Sequence, residues 1–249
     1  MLRREALLPL LVLVLFLILW EGFCRLLHPP AYLIPSPLAI ILRATSLGDK
    51  IFVDVATTAA ESLMGFVLGS ILGIVLGVLF ASYRAVELSL MPYAIALKTV
   101  PIVALAPLLV IWFGFGMSAK VVLAALICFF PVLVSTAQGL KDIDQRSVDL
   151  FRSLAASPVQ IFIWLRWPSA LGHLFASFRV AIVFSVIGAI VAEFAGAKQG
   201  LGFRILVASY NVDTVTMFVY IILSAFLGMA FYGIVAFLEG LLVPWRKQA

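Results

Sequence analysis

The chain is 249 residues long, 64% hydrophobic and only 12% charged, with a mean hydropathy of +1.19 and a net charge of +5. Water-soluble domains are roughly 45–50% apolar and about 25% charged, so the composition excludes an ordinary globular protein and predicts a polytopic helical membrane protein. The hydrophobic runs are continuous rather than alternating, which excludes a transmembrane barrel, and basic loop ends facing anionic lipid explain the charge better than nucleic acid does.

The first span covers about residues 7–27, enough for the ~20 residues of a bilayer crossing. It follows Arg3 and Arg4 as a signal peptide would, yet no small-residue cleavage site ends it, so a retained anchor is expected. Trp20 and Glu21 mark its far end, where belt aromatics belong. Pro29, Pro30, Pro35 and Pro37 keep the next stretch extended. Residues 38–47 then form a short amphipathic segment for the interface, and Asp49, Lys50 and Asp54 are expected to keep the approach to the second span wet.

The second span, about 57–80, carries Gly65, Gly69, Gly73 and Gly77 at every fourth position. On a helix these form one stripe that admits a neighbouring backbone, and tight packing within one subunit is favoured over a moving or dimeric contact. The third span, about 92–113, is interrupted by Pro101 and Pro107. Each proline removes a helix hydrogen bond, and the freed carbonyls are tolerated where they face protein or a watery cavity. Lys98 near its start is placed to snorkel toward the headgroups. The fourth span, about 119–140, has Pro131 directly after Phe129 and Phe130.

A polar stretch, 141–168, follows, with Pro168 closing it. Within it Ser147 to Ala156 predicts a short helix that sets Asp149 and Arg152 on one face. The fifth span, about 171–194, contains Arg179 and ends at Glu193. These two charges are fourteen residues apart, about 21 Å along a helix, so they cannot pair, and each is expected to be an interfacial charge near a span end. A glycine-bearing turn from Gly196 to Gly202, a half-buried segment over 203–210 and a sixth span over about 214–238 complete a single all-α transmembrane domain, 1–249.

Six spans put both termini on one side. That side carries Arg3, Arg4, Arg84, Lys141, Arg146, Arg152, Arg166, Arg246 and Lys247, against Arg25, Arg43, Lys50, Lys120, Lys198 and Arg204 opposite. The bias places the termini and the polar stretch in the cytoplasm. No phosphate-binding loop, no pair of histidines at metal spacing and no nucleophile elbow occurs. Cys24 and Cys128 both lie in apolar runs, away from disulfide or metal chemistry. A non-enzymatic chain without catalytic or metal residues is therefore expected.

The polar stretch carries a resemblance. Asp149-Leu150-Phe151-Arg152-Ser153-Leu154-Ala155-Ala156-Ser157, followed by Leu165-Arg166-Trp167-Pro168, resembles the E-A-A-x3-G-x9-I-x-L-P loop of bacterial ABC-importer permeases, and the spacing from acid to proline matches. The flanking text agrees: Pro101 to Leu108, Trp112-Phe113-Gly114, Phe129-Phe130-Pro131, Ala192-Glu193 and Gly200-Leu201-Gly202. Together they look like the permease group for nitrate, sulfonate, taurine, bicarbonate and thiamine precursors. Asp149 replaces the family Glu, Leu150 and Phe151 the two alanines, Ala155 the glycine, and Trp167 the usual Leu. Because alanine resists positive φ, the turn at Ala155 is expected to use ordinary helical or extended geometry.

The resemblance implies a six-span type I importer permease with a cytoplasmic coupling helix between spans 4 and 5. It implies two copies of the chain, a pair of ABC ATPase subunits that carry ATP and Mg, an external substrate-binding protein, and no cofactor on this chain. The ATPase-coupling residues would be Asp149, Leu150, Phe151, Arg152, Leu154, Ala155 and Pro168. Charged rim pairs set register in such a groove while apolar side chains anchor it.

Pro101, Ala104, Pro107, Phe129 and Phe130 are candidates for the pathway lining, because the prolines put irregular backbone on spans 3 and 4. An anion selector needs a cation deep in the pathway, and these spans offer only Lys98 near an end. The aromatic residues and the family text favour a small aromatic or heterocyclic vitamin or precursor, such as a thiamine pyrimidine or riboflavin, over a sulfonate-, taurine- or nitrate-like anion. A self-powered secondary carrier, which would need internal repeats and its own coupling ions, or a membrane scaffold, are the alternatives.

Overall fold

The computed structural model describes residues 2–244, with side chains from residue 7 onward. Arg246, Lys247 and the side chains of Arg3 and Arg4, counted above among the basic residues, lie outside the described residues.

Helix α1 (Leu2–Leu27) is the outermost element: none of its described side chains is buried. It touches the rest through Trp20, whose ring lies 5.8 Å from that of Phe218, and through Glu21, which accepts from the Leu38 amide at 3.1 Å. An apolar helix bare on all sides is stable only where lipid surrounds it. Helix α2 (Pro37–Leu47) is started by Ser36, whose hydroxyl accepts from the Ala39 amide at 3.2 Å, and by proline at its first position.

Helices α3 (Lys50–Ser82), α6 (Met117–Lys141) and α9 (Trp167–Gly196) make the centre. The glycine stripe of α3 is buried against α6, as within-subunit packing requires. A Cβ at Gly73 would sit 2.9 Å from the Phe129 carbonyl oxygen and from Val132 Cβ, and one at Gly77 would sit 2.9 Å from the Leu133 oxygen. Across the other face of α6, Cys128 and Val132 pack on Ala181 of α9, and the Cys128 thiol donates to the Ala181 carbonyl at 3.0 Å.

The third span is two helices, α4 (Arg84–Thr99) and α5 (Ile102–Phe113), whose axes differ by 97°. Val100 and Pro101 are extended, at φ −67°, ψ 129° and φ −61°, ψ 111°. The residue before a proline is pushed out of helical geometry, so the elbow falls here. Pro107 and Pro131 sit inside α5 and α6 without ending them. With this bent pair as one span, the bundle has six crossings among the described residues, the last being α11 (Thr214–Leu242).

Helix α7 (Gln145–Ser153) is shorter than the expected Ser147 to Ala156 at its C-terminal side and begins two residues earlier, because Asp144 caps it by accepting from the Arg146 amide at 3.2 Å. Its exit corrects the expectation for Ala155. That residue takes φ +57°, with its amide bonded to the Arg152 carbonyl at 2.9 Å and the Ala156 amide to the Phe151 carbonyl at 3.0 Å. These two bonds form a Schellman motif, which satisfies the helix's last carbonyls and requires a left-handed residue where alanine stands. The bonds and the docked helix hold alanine in a conformation that costs about 1–2 kcal/mol. Ala155→Gly should therefore slow hydrogen exchange of the α7 amides several-fold, a gain of roughly 1 kcal/mol after the cost of a more flexible unfolded chain. Unchanged or faster exchange would show that the motif does not limit α7.

Pro168 does not close the polar stretch. The helical path resumes ten residues earlier, at α8 (Pro158–Ile161), where Ser157 and Gln160 form a reciprocal capping box. It runs through one π-turn (Phe162–Arg166) into α9. The Trp167 amide reaches back to the Phe162 carbonyl, so the register widens just before the proline that lacks a donor.

Candidate functional site

The elbow in the third span opens a cavity of about 580 Å³ between α4, α5, α6 and α9. That size suits a small organic solute. Its walls are mostly apolar: Leu97 and Ala94 from α4, Ile102 and Leu105 from α5, Phe129, Phe130 and Pro131 from α6, and Val180 and Phe184 from α9. Of the five lining candidates, Phe129 and Phe130 face it, while Pro101, Ala104 and Pro107 do not; Pro101 makes the elbow, and Ile102 and Leu105 line the wall beside it.

Lys98 also lines this cavity, which corrects its expected reach to the headgroups. Its ammonium stands 4.8 Å from the centre of the Phe130 ring, a cation–π distance. Phe130 is 13 residues from one end of α6 and 11 from the other, so this pair lies about 16–20 Å from either end of the helix. Counting from Pro92 placed Lys98 near a span end; the helix begins eight residues earlier, at Arg84, so Lys98 lies fourteen residues into α4.

At the end of the bundle opposite α7, charged residues are buried together. Glu193 is fully enclosed and accepts from the Thr58 hydroxyl at 2.6 Å, the Gly202 amide at 2.5 Å and the Phe203 amide at 3.2 Å. Asp54, also fully enclosed, accepts from the Gly200 amide at 3.1 Å, Arg204 Nε at 2.8 Å and the Tyr220 hydroxyl at 3.2 Å. Thr58 accepts from the Leu201 amide at 2.8 Å. The amides of four consecutive residues, Gly200 to Phe203, are thus satisfied by three side chains from α3 and α9 at the start of α10 (Leu201–Tyr210). These are the donors that a helix start leaves without internal partners, and the negative groups also meet the positive end of its dipole. Gly200, at φ +113°, is forced twice: by its backbone angle and because a Cβ there would collide with the Glu193 carboxylate.

One turn along α3, Glu61 pairs with Lys120 of α6 at 3.3 Å, both buried. Glu193 is therefore not an interfacial charge but a helix cap, and Asp54 is not a wet approach. The reason is that α10 folds back onto the bundle and needs internal acceptors. The signal was present in the sequence: Asp54, Thr58 and Glu61 fall at i, i+4 and i+7, one face of a helix. Arg179 does not meet Glu193 either; it bonds Glu239 at 2.5 Å and ties α9 to α11 toward the α7 end. Just outside the last span, Asp213 caps α11 by accepting from the Thr216 amide at 3.1 Å. Burial works against its charge, but Thr216 and Arg43 outweigh that and hold the carboxyl below its usual range.

At the α7 end, Asp149 and Arg152 do share one exposed face, 3.4 Å apart. Val148 is buried and fixes the helix to the bundle, while Leu150 and Leu154 are 58% and 71% exposed. Phe151 is half-buried, and Ala155 forms the turn that directs Leu154 outward. Pro168 lies ten residues into the following helix, apart from this group.

The chain matches the family described as binding-protein-dependent transport system inner membrane component over residues 65–243. It is 35% identical over 245 residues to the formylaminopyrimidine transport permease ThiX of Halalkalibacterium halodurans, covering 98% of each chain. It is 36% identical over 239 residues to the riboflavin transport system permease RibX of Chloroflexus aurantiacus, covering 95% of this chain and 89% of that one. A permease named for aliphatic sulfonates, SsuC of Bacillus subtilis, is 30% identical over 241 residues, covering 96% and 87%. Among solved structures, an inward-facing MetNI methionine ABC transporter chain aligns with a TM-score of 0.59 at 19% identity, covering 74% of this chain and 93% of that one, a likeness of fold. The chain belongs to the binding-protein-dependent transport family and is a multi-pass inner-membrane permease subunit of an ABC importer.

Proposed function

We propose that the chain forms, as one transmembrane domain over 1–249, half of a membrane pair that passes a small heteroaromatic solute inward by alternating access. ATP and Mg act on separate ATPase subunits, an external binding protein delivers the solute, and both termini face the cytoplasm. The observation that carries this reading is α7. It presents Leu150 and Leu154 to solvent at the end of the bundle, with an Asp149–Arg152 pair at the rim and Val148 as its anchor. Two large apolar groups exposed on a short, capped helix suit a groove on another protein. Because Leu150 and Phe151 stand where the family carries alanines, that groove is more apolar than in relatives. The relatives named for a formylaminopyrimidine and for riboflavin support the solute class.

Asp149→Arg tests the coupling. In proteoliposomes with the ATPase and binding protein, the variant should keep its melting temperature, because Asp149 is exposed, yet lose ten-fold or more of ATP-driven uptake through like-charge contact at the rim. Wild-type uptake by the variant would remove α7 from the coupling path. Uptake by the chain alone, without ATP, would remove the importer reading.

A further inference from the structure

We propose that Lys98 and Phe130 form a substrate-recognition pair halfway through the membrane, selecting planar heteroaromatic solutes that carry ring nitrogen or carbonyl acceptors. This rests on the importer reading above and names the residues that give it specificity. An ammonium at this depth is costly unless it is paired, and no carboxylate lies within 4.0 Å of Lys98 among the described residues. Its ammonium faces the Phe130 ring. A ring face orients an ammonium, but it satisfies none of the three N–H donors by a conventional hydrogen bond. Lys98 is exposed, so these donors are open to acceptors that a solute brings.

The rest of the cavity decides which solute. Apart from Lys98, its polar side chains are Ser135 and Ser177, and the Ser177 hydroxyl already donates to the Leu174 carbonyl at 2.8 Å. One ammonium and one uncommitted hydroxyl cannot replace the hydration of a sulfonate, whose three oxygens each need donors. They can serve one or two in-plane acceptors of a heterocycle whose faces rest on Phe129, Phe184 and the aliphatic walls. A volume of about 580 Å³ leaves room for a bicyclic or tricyclic ring system. The extended pair Val100–Pro101 ends α4 just after Lys98 and turns the chain by 97° into α5, so Leu97 and Lys98 from one arm and Ile102 and Leu105 from the other line one cavity.

The test is equilibrium binding to the permease–ATPase complex in nanodiscs, with riboflavin, a formylaminopyrimidine and ethanesulfonate as probes, with and without a non-hydrolysable ATP analogue. At least one heterocycle should bind more tightly than ethanesulfonate. Lys98→Met should weaken that binding roughly ten-fold or more, Lys98→Arg should keep it within a few-fold, and Phe130→Leu should weaken it several-fold. Wild-type complex that binds neither heterocycle in either nucleotide state, or a Lys98→Met complex that binds as wild type does, overturns the site. Preference for ethanesulfonate overturns the ligand class. Failure of the importer reading looks different: the heterocycle binds in a Lys98-dependent way, yet ATP drives no accumulation in proteoliposomes that contain the binding protein.

Discussion

Replacing Glu193 by alanine is expected to lower the thermal stability of the permease by about 3–5 kcal/mol. The carboxylate takes three hydrogen bonds, from Thr58 and the amides of Gly202 and Phe203, in a place no solvent reaches. Each donor left unpaired there costs roughly 1–3 kcal/mol, and relaxation of α10 recovers part of the sum. For a chain of this size the loss corresponds to roughly 10 °C in melting temperature. The measurement follows from the protein itself: Cys128 is buried, so a thiol-reactive dye reports unfolding once Cys24 is replaced by serine. Glu193→Gln, which keeps one acceptor oxygen, should fall between alanine and wild type. Gly200→Ala should also destabilise, because its new Cβ meets the same carboxylate at a positive φ. Melting temperatures for all three within a degree or so of wild type would mean that α10 is not held by this cap.

Gly73→Leu is expected to prevent assembly of the bundle, and Gly73→Ala to cost about 1–3 kcal/mol. Even a methyl at this position would lie 2.9 Å from the Phe129 oxygen and 3.0 Å from the Leu133 amide nitrogen, which are backbone atoms that cannot rotate away. The helices α3 and α6 would have to part, and with them the wall that carries Phe129 and Phe130. Gly233 in α11 is the control, since a Cβ there meets nothing within 4 Å. Gly233→Ala should be neutral or stabilise by up to ~1 kcal/mol through helix propensity alone. The same thiol assay separates the two cases, and equal effects at Gly73 and Gly233 would contradict the packing account.

Under the proposed function, a motion at α7 would reach the cavity through one continuous element. The segment after α7 runs without a break from Pro158 to Gly196, so one helical rod joins the exposed Leu154 turn, the cavity residues Val180 and Phe184, and the Glu193 cap. A rod held at one end by the Glu193 bonds to the Gly202 and Phe203 amides would transmit a tilt imposed at its other end as a rigid body, the motion that the proposed two-state change of access requires.

The crossings and the small-residue stripe were legible in the residues themselves, because twenty apolar residues admit few structures in lipid and a four-residue spacing has one meaning on a helix. The polar residues around Asp149 likewise marked a short helix outside the spans. Three features needed the folded chain. The cavity that Lys98 lines is bounded by both arms of the third span, which the extended pair Val100–Pro101 turns by 97°, and a proline predicts a break but not its angle. Ala155 holds a left-handed turn against its own preference because two backbone bonds of the helix end decide its φ. Glu193 and Asp54 exchange a surface role for a buried one because a segment 9 to 150 residues away along the chain brings its unpaired amides to them. Periodicity is a local property and is written in the sequence; the partner of a buried charge is a long-range contact, and only the packing of α3, α9 and α10 supplies it.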